Sequence, residues 1–390
     1  MSTQKPRRTR PADRKRQLVD HAAALFLDRG YPHVSVADIA RASGVTAPSV
    51  YRHFDDKQAL LSAAVLAGVD DLEACTDRTL GDGQRPLGEL INALCDLGVH
   101  HPESVSLWRW TSNYLSEDQN KQMVLRTQQV LARWATAIVS ERPGLSDREA
   151  RSLGWAALSV AGSLAVHNSR MSAARARAEL VVLTERLLDL RPATAPDLPP
   201  EPTIAGLSSS RRDEILDAAA ALFADHGYAD VGVDDIGAAV GITGPSVYKH
   251  FSSKLAILLG IGQRSAMRLE TGVMAAQSTT ADPAKLLGLL VDSYVTVITS
   301  TPDLSVAFNS SAVFAGQEAA AELLDVQRRY VRRWIDLLGQ IQPDVRPDQR
   351  AVAVHAALSI VNDAVRMRRG TTRPDFAAEM AYLMKGVLGL

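Results

Sequence analysis

Two short segments of this chain place the same hydrogen-bonding side chains at the same spacing. The paired residues stand 197 positions apart and are Thr46 with Thr243, Ser49 with Ser246, Tyr51 with Tyr248, and Lys57 with Lys254. Hydroxyl groups donate and accept hydrogen bonds at the edges of DNA bases, and tyrosine and lysine side chains bind phosphate. The chain has no glycine-rich phosphate loop, no His-x-x-x-His or Cys-x-x-Cys spacing and no nucleophile elbow. The pattern therefore predicts recognition of DNA rather than catalysis.

These side chains need a rigid support, which the residues around them predict. A helix over residues 13–29 ends at Gly30, and Ser35 is well placed to cap a second helix. Gly44 supplies a tight turn, and Thr46 is expected to cap a short third helix, in which Pro48 lies in the tolerated first turn. This order is typical of a helix-turn-helix, whose second helix presents its N-terminal residues to base edges in the major groove.

The candidate DNA-contacting residues follow from that placement. In the first copy they are Ser35, Thr46, Ala47, Pro48, Ser49, Tyr51, Arg52, His53 and Lys57. In the second copy they are Gly232, Thr243, Gly244, Pro245, Ser246, Tyr248, Lys249, His250 and Lys254.

The repeat covers residues 14–57 and 211–254 without a gap, with more than half of the positions identical. Both copies, with the ending Tyr-x-His-Phe-x-x-Lys at Tyr51–Lys57 and Tyr248–Lys254, resemble the DNA-binding head of the TetR family of regulators. The resemblance implies an all-α protein whose C-terminal body binds a small molecule and forms the dimer. It also implies that the capping residue, the recognition helix, the tyrosine and the lysine contact operator DNA.

Helical periodicity along nearly the whole chain predicts an all-α fold of two tandem units, each a three-helix head followed by a helical ligand-binding and dimerisation body. The proline-rich stretch between the units predicts an extended linker. The predicted boundaries are a basic arm at 1–12, a head at 13–60, a body at 61–190, a linker at 191–210, a head at 211–257 and a body at 258–390.

Bulk composition excludes several classes of protein. With only two cysteines in 390 residues, Cys75 and Cys95, a disulfide framework is not expected and a reducing compartment fits. No run of 18 apolar residues predicts a membrane span, and the basic N-terminus is not followed by the apolar segment of a secretory signal. We therefore expect a cytoplasmic, non-enzymatic regulator with no metal or cofactor.

The two heads differ in charge. Through Lys57 the first holds eleven Lys/Arg and six Asp/Glu, whereas residues 203–254 hold four Lys/Arg and seven Asp/Glu. Because phosphate neutralisation drives nonspecific affinity, the first head and its basic arm should supply most of it. Gly232 replaces the capping Ser35, and Gly237 and Gly244 are expected to loosen the second head. An alternative follows in which only the first head reads DNA and the second half is a structural or ligand-sensing partner.

The bodies contain aromatic and polar residues that are candidates for lining an effector site, most simply for a small hydrophobic or amphipathic molecule. They are Trp108, Tyr114, Trp134, Trp155 and His167 in the first body and Phe308, Phe314, Trp334, His355 and Asn362 in the second. Fusion of two units further predicts that the halves pair as an intramolecular pseudo-dimer through their last two helices. The family resemblance implies a repressor that leaves operator DNA when a small-molecule effector binds. Neither the identity of the effector, the operator sequence nor the choice between repression and activation follows from the residues themselves.

Overall fold

The computed structural model describes residues 11–81, 87–111, 114–166, 171–199, 210–314, 317–367 and 370–390. Within these ranges every regular element is a helix, so the all-α prediction is confirmed. None of the described helices combines the length and apolar character needed to cross a bilayer. Cys75 and Cys95 are both buried and unbridged.

The first head consists of three helices and a short 3₁₀ turn. These are α1 (Pro11–Arg29), the 3₁₀ turn (Tyr31–His33), α2 (Val36–Ala42) and α3 (Ala47–Tyr51). Leu18, Ala22 and Phe26 recur along the buried face of α1 and pack with Ile39 and Val50, all less than a tenth exposed. This apolar stripe holds α3 against the head and leaves its N-terminal residues on the surface.

Seven further helices follow in the first half of the chain. They are α4 (Lys57–Leu80), α5 (Leu87–His100), α6 (Pro102–Ser106), α7 (Trp108–Thr111), α8 (Glu117–Glu141), α9 (Asp147–Ala161) and α10 (Ala173–Leu188). A 3₁₀ segment, Gly162–Val166, extends α9. The buried Trp134 of α8 donates from Nε1 to Thr76 Oγ1 of α4 at 2.8 Å, which satisfies the one polar atom of this large core side chain.

The second half repeats this order. Its head holds α11 (Arg211–His226), α12 (Val233–Ala239) and α13 (Gly244–Val247). Its body holds α14 (Lys254–Thr279), α15 (Pro283–Ser300), α16 (Asp303–Asn309), α17 (Ser311–Phe314), α18 (Ala321–Ile341), α19 (Pro347–Arg366) and α20 (Phe376–Leu388). The core of this head continues into the body, because Phe314 and Leu323 pack into the same apolar cluster as Phe223 and Phe251.

The chain divides into two compact units, Met1–Asn168 and Ser169–Leu390. The division places α10 in the second unit, although the sequence assigns it to the first body. Within that unit α10 packs on α19 and α20. Of the predicted linker, Pro192–Thr194 forms a 3₁₀ turn against α20, and residues 200–209 lie outside the described ranges. The domain boundaries remain a prediction.

Candidate nucleic-acid interface

The second helix of each head begins with a different cap. Ser35 Oγ accepts a hydrogen bond from the Asp38 N–H at 3.1 Å and donates to Asp38 Oδ2 at 2.5 Å, while the Ser35 N–H donates to the same carboxylate at 3.0 Å. These bonds, the Ser35 hydroxyl first, lower the pKa of Asp38 to about 2. In the second head the Gly232 N–H donates to Asp235 Oδ2 at 2.7 Å, with no side chain to reinforce it. The only proton of the Ser35 hydroxyl is therefore already committed within the head.

Each turn between the second and third helices requires a left-handed backbone. Gly44 has φ +64° and Gly241 has φ +69°, a region in which a side chain is strained. The following residue closes the turn, since Val45 donates to the Ala40 carbonyl at 2.9 Å and its counterpart in the second head makes the same bond. The two turns are equivalent, and the tight turn predicted at Gly44 is confirmed.

The recognition helices α3 and α13 are one turn long and carry their hydroxyls on the surface. Thr46 and Thr243 occupy the N-cap positions, but neither side chain caps the helix, so the expected capping role is wrong. Their Oγ1 atoms instead lie 3.2 Å from Ser49 Oγ and 3.0 Å from Ser246 Oγ. A threonine–serine hydroxyl pair thus stands at the exposed start of each helix, where donor and acceptor roles are exchangeable.

Around each hydroxyl pair the exposure pattern is nearly the same in the two heads. Val50 and Val247 are fully buried and anchor the helices, whereas Tyr51 and Tyr248 are each 54% exposed. The remaining candidates divide by burial into an exposed set, Pro48, Arg52, Pro245, Lys249 and His250, and a half-buried pair, Ala47 and His53. Gly244 alone among them is buried. Two exposed tyrosines of equal accessibility are unusual for a chain that buries most of its aromatic residues.

The two lysines that end the motif point inward. Lys57 Nζ donates to the Tyr31 carbonyl at 2.9 Å and lies 4.2 Å from the centre of that ring, and burial lowers its pKa. Lys254 Nζ reaches the carbonyls of Tyr228, Ala229 and Val231 at 2.8, 3.3 and 2.8 Å. An ammonium group has three protons, so Lys254 has none left for phosphate in this arrangement. Each lysine thus connects the start of the fourth helix of its half to the segment that precedes the second helix, a role that the sequence did not predict.

Other cations flank the first recognition helix. Arg14, Leu18, Val45, Ser49, Arg52 and His53 line an open depression of about 220 Å³ beside it. Lys15 lies over the Phe54 ring at 5.3 Å, and Arg16 pairs with Asp20 and Asp71 on the side of the body. The predicted arm residues before Pro11 lie outside the described ranges. In the second head, Arg212 lies over the Phe251 ring at 4.0 Å and donates to the His250 carbonyl at 2.7 Å.

The described candidate effector residues of the first body have different surroundings. Trp108 and Trp155 contact each other with ring centres 5.1 Å apart, and Trp134 is buried beside Thr76. Tyr114 instead faces the head, where its ring lies 4.7 Å from that of Tyr31. His167 lies outside the described residues.

In the second body two of the five candidates, Trp334 and Asn362, contact the buried Tyr294. Asn362 accepts from the Tyr294 hydroxyl at 2.7 Å, and the ring of Tyr294 contacts Trp334 at 5.8 Å. Burial raises the pKa of Tyr294 beyond its usual range. Phe314 is buried in the core shared with the head, and Phe308 and His355 are half-buried. A shallow cleft on this body is lined by none of the ten candidates but by Thr279, Thr280, Lys285, Gly288, Leu289, Asp292 and Lys385.

Comparison with known proteins matches both heads. The family model of bacterial regulatory proteins, TetR family, matches residues 18–64 and 215–261. A transcriptional activator, FasR of Mycolicibacterium smegmatis, is 39% identical over 22% of this chain and 38% of its own length. A transcriptional repressor, KstR2 of Mycobacterium tuberculosis, is 28% identical over 35% of this chain and 69% of its own length.

Among solved structures, that of the ketosteroid transcriptional regulator KstR2 of Mycobacterium tuberculosis is 26% identical, with a TM-score of 0.42. It aligns with 48% of this chain and 97% of its own. The matched stretch thus covers well under half of the length of the FasR relative. The alignment with the KstR2 structure covers about half of the present chain.

Proposed function

Because the chain belongs to the TetR family of bacterial regulatory proteins and carries two of its DNA-binding heads in tandem, we propose that it regulates transcription by binding operator DNA through both heads and leaves the DNA when a small molecule binds. The observation that carries the proposal is the shared exposed face of α3 and α13. Each presents a hydroxyl pair at its start and a 54% exposed tyrosine one turn later. Such a helix fits the major groove, with hydroxyls at base edges and tyrosine at phosphate.

The two heads are proposed to act as a dimer built into one chain. Two-fold pairs of such heads read half-sites one helical turn apart, about 34–36 Å, or a multiple of it. Covalent linkage replaces the encounter of two chains by an intramolecular event at high effective concentration. A single chain would then occupy one whole operator.

Contacts of α10 support this arrangement. This helix belongs to the first half by sequence, yet it packs on α19 and α20 within the second compact unit. Arg175 pairs with Asp348 at 2.8 Å, and Gln349 Nε2 donates to Glu179 Oε2 at 2.7 Å. A helix of one half that completes the core of the other is what an intramolecular pseudo-dimer requires.

Release by an effector needs a mechanical link between head and body, and each half has one. In the first, Arg16 of α1 donates to Asp71 of α4 at 3.1 Å, and Ser104 of α6 donates to the same carboxylate at 2.8 Å. In the second, Arg264 of α14 pairs with Asp303 of α16 and with Asp217 of α11. We propose that a hydrophobic or amphipathic effector in a body shifts the sixth helix of that half and, through these charges, the angle of its head.

A second candidate function is supported by the second head. Its missing serine cap and its acidic surroundings favour a regulator in which only the first head reads DNA and the second half senses the ligand or completes the fold. The effect on the promoter is proposed as repression, in common with the KstR2 relative, while the FasR relative is an activator.

The test is a DNA-binding titration on the chain's own upstream region with wild type, Tyr51→Ala and Tyr248→Ala. Leu125→Ala and Met267→Ala are matched controls, because these apolar side chains are 56% and 69% exposed but lie on the bodies. Loss of specific binding in both tyrosine variants, with unchanged controls, supports reading by both heads. Loss in Tyr51→Ala alone supports the one-head alternative. Equal binding by all five proteins contradicts both.

A further inference from the structure

The two recognition helices rest on different neighbours. Ala37 of α2 and Ala47 of α3 in the first head correspond, 197 residues later, to Asp234 and Gly244 in the second. Both positions therefore differ between the heads. In the second head one position carries a carboxylate in place of a methyl group, and the other has no side chain. Arg41, which pairs with Asp38 at 2.8 Å in the first head, corresponds to Ala238.

The geometry shows why the two changes belong together. A methyl group on Gly244 would lie 1.9 Å from Asp234 Oδ1 and 2.9 Å from its Cγ. The carboxylate therefore occupies the volume that an alanine at the start of α13 would need. Gly237 makes a second close approach, because a methyl group there would lie 2.8 Å from the Ile242 carbonyl oxygen. The two glycines let α12 and α13 pack closely, a role that the sequence did not predict.

Asp234 is exposed, and among the described residues it makes no ion pair or hydrogen bond. An ionised carboxylate accepts hydrogen bonds and donates none. A phosphate group therefore repels the Asp234 carboxylate. In the major groove, by contrast, the N4 amino group of cytosine donates hydrogen bonds that aspartate and glutamate side chains accept. Asp234 lies against the first residue of the helix whose N-terminal residues reach base edges.

We propose that Asp234 is a specificity-determining residue of the second head, which accepts a hydrogen bond from a cytosine N4 amino group at the base pair facing the start of α13. The first head has only Ala37 at this place, so its half-site carries no such requirement. The operator is consequently asymmetric, and the chain binds it in one orientation. This inference rests on the proposed function and names the base class that one of its two heads selects.

The test exchanges the residues at these two positions between the heads. Asp234→Ala/Gly244→Ala gives the second head the residues of the first, and Ala37→Asp/Ala47→Gly does the reverse. Each protein selects duplexes from a randomised pool, and its selected site is then titrated. Circular dichroism melting shows whether each variant folds, and Arg328→Ala, which removes an exposed cation from the body, is the control.

Wild type is expected to select two unequal half-sites, one with an invariant cytosine. The Asp234→Ala/Gly244→Ala variant should lose that preference and bind the wild-type site roughly 5- to 150-fold more weakly, the usual effect of one base contact. Replacing the cytosine by 2-pyrimidinone, which lacks the amino group, should weaken wild type and leave this variant unaffected.

Equal half-sites selected by folded wild type, or the same cytosine preference in the Asp234→Ala/Gly244→Ala variant, would overturn the role of Asp234 while leaving the proposed function intact. Selection of no sequence at all by wild type would instead overturn the proposed function and this inference with it.

Discussion

The Asp303 carboxylate is completely buried at the start of α16 and accepts two hydrogen bonds from the Arg264 guanidinium of α14, at 2.7 and 2.8 Å. Arg264 also pairs with Asp217 of α11 at 2.7 Å, and Arg268 reaches Asp303 at 3.1 Å. The Arg264 guanidinium of α14 thus joins α11, the first helix of the second head, to α16, the sixth helix of that half. A buried charge is tolerated only when it is paired and hydrogen-bonded, as that of Asp303 is.

Replacing Asp303 by Ala should therefore destabilise the second unit. Removal of the Asp303 carboxylate leaves the largely buried Arg264 paired only with Asp217, at a cost of about 3 kcal/mol, the lower end for breaking a buried ion pair. Urea denaturation followed by circular dichroism measures the change. Asp325→Ala, which breaks the exposed pair with Arg328, is the control and should change the free energy of unfolding by less than about 1 kcal/mol. Equal losses for the two variants would contradict the structural role of Asp303.

The two lysines of the second head should have different roles, Lys254 in the stability of the fold and Lys249 in DNA affinity. Lys254→Met removes a cation that holds carbonyls of the preceding loop, and its free energy of unfolding should fall by about 1.5–3 kcal/mol. Lys249→Met removes an exposed cation and should leave stability unchanged. It should weaken binding across DNA sequences and reduce the slope of log affinity against log salt by about 1. Thermal melts and salt-dependent titrations test both variants, and the reverse division of effects would refute this assignment.

The first head should depend on pH through Asp38. Its folded pKa of about 2 lies below the ordinary value of 3.8, so the ionised form is favoured by folding. The resulting stabilisation is complete above about pH 4 and is lost as the pH falls through 2. Ser35→Ala should raise the Asp38 pKa towards 3.8, because the hydroxyl is the largest cause of the shift. Carboxyl chemical shifts followed by NMR report the pKa directly, and an unchanged value in Ser35→Ala would show that the cap does not set it.

The packing of α10 should govern the association state. Wild type is expected to sediment as a monomer of 42.0 kDa, because the halves pair within the chain. Gly386 of α20 leaves room for Leu190, and a methyl group at that position would lie 2.4 Å from Leu190 Cδ1. Gly386→Leu should displace this contact and produce a less stable protein whose mass rises with concentration.

Gly288→Ala is the matched control for Gly386→Leu, since only the end of Lys385 lies near that site on the exposed side of the body. A stable dimer of wild type would contradict the intramolecular pairing. So would a Gly386→Leu variant that remains an unperturbed monomer.

Much of each head could be predicted from sequence because its determinants are local. The three-helix order, the cap at Ser35 and the positive φ at Gly44 and Gly241 depend on residues within a few positions of one another. The recognition helices were found by the same means, since the buried Val50 and Val247 fix which side faces outward. Periodicity and the repeat also determined the all-α class.

The tertiary structure decided what depends on distant neighbours. Lys57 meets the Tyr31 carbonyl 26 residues away, and Arg264 meets Asp303 39 residues away. The fit of Asp234 against Gly244 is shorter in sequence but depends on how closely two helices approach. Sequence supplied the chemical groups on the surface of each head, whereas packing decided which of them are already satisfied within the fold, because a buried donor or charge must find its partner wherever the chain brings one.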